Sequence, residues 1–143
     1  MCLLFSSCGP EVTFREEVNF GSGHWSYTDS VAFVFPVADT TGRYDLVLSV
    51  DHGTEFAYQN FYVNLRTHLP SGEVLTQNLS LQLANTFGEW YGDCGEAECT
   101  LDIALQEGTR FTETGEHRLV VAQYSRDEPL RDVNGIGFRI VKN

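Results

Sequence analysis

The sequence predicts an all-β fold, an antiparallel two-sheet β-sandwich of jelly-roll type, with an immunoglobulin-like arrangement as the alternative. Three observations predict it. Apolar residues recur at every second position in short runs, and turn residues separate those runs at regular intervals. Aromatics are plentiful, with ten Phe, six Tyr and two Trp, while Gly reaches 13 and Met occurs once, a balance that favours strands. No segment carries three turns of helical amphipathic spacing. With 143 residues, 42% of them hydrophobic, the chain is long enough for one domain with a real core.

The charge balance narrows the partners. Twenty acidic residues against nine basic ones leave a net charge of −11, which repels phosphate backbones and speaks against nucleic-acid binding. No run of apolar residues is long enough to span a membrane as a helix.

The first eight residues differ from everything after them. Met1-Cys2-Leu3-Leu4-Phe5-Ser6-Ser7-Cys8 runs from apolar to small residues and ends in Cys, and the chain turns polar at Gly9-Pro10-Glu11. That order resembles a bacterial lipobox, the end of a lipoprotein signal peptide. In that chemistry the Cys8 thiol receives a diacylglyceryl group, the mature N-terminus is acylated (typically by palmitate), and no other cofactor is expected. The segment lacks a basic stretch and a full apolar region, so the true start is expected upstream of Met1. Residues 1–8 therefore read as the remnant of a signal, 9–23 as a tether with a first strand at Val12–Val18, and 24–143 as the sandwich.

The remaining strands follow in order. Val31, Phe33, Phe35 and Val37 alternate after Asp29-Ser30, and Tyr44, Leu46, Leu48 and Val50 alternate after the turn Asp39-Thr40-Thr41-Gly42. Phe61, Val63 and Leu65 come next and end at Leu69-Pro70-Ser71-Gly72, a strong turn signal. Leu75, Leu79, Leu81 and Leu83 take one face of the next strand, with Thr76, Asn78, Ser80 and Gln82 on the other. Leu101, Ile103 and Leu105, then His117 to Tyr124, then Ile136, Phe138 and Ile140 complete about eight strands. The expected core includes Phe33, Phe35, Leu46, Leu48, Leu79, Leu81, Val120 and Phe138.

Candidate sites fall between the strands. Four residues separate Cys94 from Cys99, a spacing that suits a small disulfide loop across a tight turn in an oxidising compartment. From Thr67 to Thr109 there is no Lys or Arg, and acidic residues gather at Asp93, Glu96 and Glu98. Oxygen ligands of that kind can hold calcium, but the loop lacks the EF-hand pattern and solvated charge is the stronger reading. Phe87-Gly88-Glu89-Trp90-Tyr91-Gly92 places aromatics between glycines in a loop. Trp90 and Tyr91 there stack on a sugar or anchor a partner, unless Trp90 plugs one end of the sandwich. Trp25 carries the same two readings, tilted towards packing. The four His lie far apart, and neither a nucleophile elbow nor a phosphate loop occurs, so no enzyme is expected.

The order of pieces along the chain is more telling than any one of them. After Cys8 come Gly23-His24-Trp25, Asp29-Ser30-Val31-Ala32-Phe33-Val34-Phe35, and Asp39-Thr40-Thr41 before Tyr44-Asp45-Leu46. Tyr58-Gln59-Asn60-Phe61-Tyr62-Val63, Pro70-Ser71-Gly72, Gly88-Glu89-Trp90-Tyr91-Gly92 and Val133-Asn134-Gly135-Ile136-Gly137-Phe138-Arg139-Ile140 follow. This order resembles the gliding-motility lipoprotein family GldH over nearly the whole mature chain; the Cys94/Cys99 loop is outside the family pattern. The resemblance implies a lipid-anchored, non-enzymatic protein of the cell envelope, expected at the outer membrane and facing the periplasm. It further implies work through contacts with other envelope or gliding-machinery proteins. A carbohydrate-binding module built on Trp90 and Tyr91 is the alternative.

Overall fold

The computed structural model describes residues 10–143. Eight long strands form two antiparallel sheets: β1 (Glu11–Asn19), β3 (Val31–Val37), β4 (Tyr44–Gly53), β5 (Asn60–His68), β6 (Val74–Gln82), β8 (Glu98–Thr109), β9 (Gly115–Gln123) and β11 (Val133–Lys142). Three two-residue strands, β2 (His24–Trp25), β7 (Asp93–Cys94) and β10 (Leu130–Arg131), fill in at the margins. One sheet has the order β1-β11-β4-β8-β7 and the other β3-β9-β5-β6, while β2 and β10 pair separately. Counting only the long strands, one sheet holds the first, eighth, third and sixth, and the other the second, seventh, fourth and fifth. That is the jelly-roll order, and it decides against the immunoglobulin-like alternative.

The inward faces follow the alternation in the sequence. Phe33 and Phe35 from β3, Leu48 and Val50 from β4, Phe61, Val63 and Leu65 from β5, and Ile136, Phe138 and Ile140 from β11 are buried in one cluster. Phe138 is the hub, with ring centroids 5.6 Å from both Phe33 and Phe35. The hairpin joining β5 to β6 turns where the sequence places it. Gly72 adopts a positive φ of 94°, and its amide donates to the Leu69 carbonyl at 2.9 Å.

Three details refine the expected arrangement. The first strand, expected at Val12–Val18 within the tether, runs over Glu11–Asn19, pairs with β11 and forms the edge of the larger sheet. Val120 is buried but outside the core cluster, because it alternates with inward Leu119 and Val121 and sits between Ala32 and Arg66 on the outer face. Leu46 and Leu79 face the core yet are only partly buried. Leu46 lies where β4 bulges against β8, and Leu79 lies in a strand that ends its sheet among the described residues.

Candidate functional site

Cys8, the expected lipidation site, lies outside the described residues, as does Cys2. Cys94 and Cys99 face each other across the β7–β8 hairpin and form a disulfide. Gly92 leads into this hairpin under the backbone of β8. A Cβ there would lie 2.7 Å from the Thr100 carbonyl oxygen, so a larger residue could enter only by moving the strand.

The aromatic candidates separate by burial. Trp25 is fully buried. It stacks on Phe20 at 5.1 Å, meets Phe61 edge-on, and donates its indole N–H to the Asp29 carbonyl at 2.7 Å. A ring with no exposed face cannot serve as a stacking platform, so Trp25 is a core residue and the binding reading for it is corrected. Trp90 is half-buried at one end of the sandwich, where it bridges to Ala84 and packs on His52 and Phe56. Tyr91 is 58% exposed, and Phe87, at the tip of the same loop, is 87% exposed. The Asn85 side chain holds that tip by accepting from the amides of Phe87 and Glu89.

The three carboxylates weighed for calcium, Asp93, Glu96 and Glu98, are all exposed along the disulfide hairpin. Glu98 accepts from the Asn134 amide at 3.4 Å. Among the described residues no group of three or more His, Cys, Asp or Glu is arranged to hold a metal ion.

The side of the sandwich where both sheets end is the feature that sequence reasoning missed. β6 closes one sheet, β8 nearly closes the other, and these two strands flank the same opening between the layers. There a cavity of about 240 Å³ runs inward, lined by Leu75 and Gln77 of β6, Leu105 and Gln106 of β8, and Phe35 and Phe138 at its floor. Inward-facing positions on β6 follow from its pairing: Leu75 opposite Thr67, Gln77 opposite Leu65, Leu79 opposite Val63 and Leu81 opposite Phe61. Leu81 is buried, but Leu75 points to the core side and is still 53% exposed, because the layers gape at that end. Leu101, Ile103 and Leu105 of β8 are likewise only half covered. A trace of this was present in the sequence: Val74–Gln82 is free of charge, and the absence of Lys and Arg extends well beyond it on both sides.

Comparison with known proteins gives a consistent result. The family model described as GldH lipoprotein matches residues 12–140. A protein named gliding motility lipoprotein GldH homolog, from Christiangramia forsetii, is 27% identical, with 99% of this chain and 90% of the relative aligned. The gliding motility lipoprotein GldH of Flavobacterium johnsoniae is 26% identical, with 96% of this chain and 89% of the relative aligned. No solved structure matches the chain.

Proposed function

Because the chain belongs to the GldH lipoprotein family, we propose that it is a lipid-anchored, non-enzymatic accessory component of gliding motility that acts through contacts with other proteins of the cell envelope. The observation that carries this reading is the extent of the family match, which runs from the first strand of the sandwich to the last. The likeness therefore extends through the folded domain.

In this reading the acyl chains on Cys8 hold the protein at the outer membrane with the sandwich in the periplasm. A net charge of −11 favours an acyl anchor over a protein one, since anionic headgroups repel such a surface. Protein contact is preferred to sugar binding because packing occupies two of the three candidate rings. Trp25 is buried, and Trp90 is packed on His52, which leaves Tyr91 as the one of the three whose side chain is mostly exposed.

Deletion of the gene in a gliding host tests the proposal. Loss of surface spreading, restored by the full chain, is the expected result. Unimpaired spreading of the deletion strain overturns the motility role.

A further inference from the structure

We infer that the uncovered side of the sandwich, formed by β6 and the cleft beside it, receives an extended strand from a basic partner protein, which adds to β6 as a further strand of the sheet. The inference rests on the protein-contact reading above and says where and how that contact is made.

The edges of the two sheets are not alike. β1 carries Glu11, Arg15, Glu16 and Glu17 and is bulged between Val12 and Phe14. β3 contains Pro36, which has no N–H to offer a neighbour. β8 is capped at Cys99 and Thr100 by β7, and beyond that cap it carries Asp102 and Glu107. Charge, bulges, proline and covering segments are the devices by which sheets blunt their edges against unwanted pairing. Among the described residues, β6 has none of them. Its nine residues, Val74 to Gln82, contain no charge and no proline, and they pair with β5 without a register shift. An edge left this regular is a template for another strand.

The side chains agree with the backbone. A strand laid along β6 sends every second residue over the cleft, where Leu75, Leu79, Leu101, Ile103 and Leu105 are incompletely covered and the cavity of about 240 Å³ opens. The occupant therefore has apolar residues at alternate positions. Its charge follows from the surroundings. The molecule carries a net charge of −11, Glu73 immediately precedes β6, and Glu107 follows the cavity-lining Gln106 on β8. Arg66 opposite Thr76 and Arg110 beside Leu75 are the cations near the cleft, so Lys or Arg on the incoming segment is attracted by the excess of acid. A second copy of the chain fits badly, since β6 against β6 brings together two such surfaces, each on a molecule of net charge −11.

Hydrogen–deuterium exchange on the full chain tests the mode of binding. The probe is a synthetic peptide as long as β6 that alternates Val with Lys, and the control is a peptide of the same composition with the alternation scrambled. Slower exchange over residues 74–82 with the alternating peptide alone is expected. Gln77→Lys, an inward-pointing charge at the cleft mouth, should abolish that protection, and the outward, charge-matched Asn78→Lys should keep it. Equal protection by the scrambled peptide, protection confined to β1 or β3, or no protection overturns the inference. A photo-crosslinking residue placed in cells at Gln77 or Gln106, and for comparison at Glu16 or Tyr124, separates this surface from the wider reading. Adducts with another envelope protein at the first two positions and not at the second two support it. Adducts only at Glu16 or Tyr124 overturn this surface and leave the protein-contact reading standing. Adducts of two copies of the chain overturn the choice of partner, and no adduct at any position overturns both readings.

Discussion

His52 and Trp90 pack at a tilt at one end of the sandwich, with ring centroids 4.7 Å apart and planes inclined at 56°. His52 is fully buried, its Nδ1 donates to the Gly53 carbonyl at 3.0 Å, and its Nε2 has no hydrogen-bond partner among the described residues. Trp90 thus forms part of the wall that keeps water from an imidazole nitrogen. Trp90→Ala should let water reach Nε2 while removing contacts to His52 and Phe56. The two effects oppose each other, so we expect a loss of about 2 kcal/mol, below the 3–5 typical of a fully buried aromatic. Urea denaturation measures it, and a loss as large as that of a core Phe would show that Trp90 is an integral core residue.

The Phe cluster sets the upper end of that scale. Phe35 contacts Phe14, Phe111, His117 and Phe138, and Phe138, from the opposite sheet, also contacts Phe33. Phe35→Ala and Phe138→Ala should each cost about 3–5 kcal/mol. Because the two rings touch, the double variant should depart from the sum of the single losses, which the same denaturation series reads directly.

The disulfide should matter little to the fold. Cys94 and Cys99 are five residues apart, and closing so short a loop limits the unfolded chain by at most about 2 kcal/mol. Replacing both with Ser should leave the far-ultraviolet circular dichroism unchanged and lower the melting temperature by only a few degrees. Mass spectrometry of the exported protein without reductant should show the linked peptide, and two free thiols would count against the bond.

Acid should weaken the protein through three carboxylates. The Asp39 carboxyl is held below the ordinary range by the Thr41 hydroxyl and amide, and that of Asp45 by the Asn143 side chain and the Gly108 amide. Burial pushes Asp102 up, but hydrogen bonds from Arg139 at 3.1 Å and Ser49 at 2.7 Å outweigh it and leave the net shift downward. A carboxylate lowered in the folded state stabilises it fully above the unfolded value of about 3.9, and that stability is lost as pH falls through the lower, folded value. Stability should therefore be level with respect to these groups near neutrality and decline below about pH 4. Asp102→Asn should flatten part of that decline and cost only about 0.2–1 kcal/mol at neutral pH, because the pair with Arg139 is partly exposed.

The anchor gives the last prediction. Expressed from a complete signal sequence, Cys8→Ser should yield a folded protein released from the membrane fraction. Retention of that variant after a high-salt wash would place the anchor elsewhere in the chain.

The strands were legible in the residues alone, because alternation is a local signal: each run from Val31 to Val37 or Phe61 to Leu65 states its own inward face. Legible in the same way were the Leu69–Gly72 turn and the short cysteine loop, where neighbouring residues dictate the geometry, and the order of the motifs was enough to suggest the family. The tertiary structure decided what depends on residues far apart in the chain. Val120 reads as core in its own segment, yet the register that turns Leu119 and Val121 inward leaves it on the outer face beside Ala32 and Arg66. Trp25 reads as binding or packing, tilted towards packing, and only Phe20 and Phe61, which enclose it, decide for the core. Most telling is β6, whose alternation gives it an apolar and a polar face but not its place at the edge of the sheet. Alternation records which face of a strand meets the core, whereas an edge is defined by the absence of a neighbour, and that is settled only when distant strands have paired.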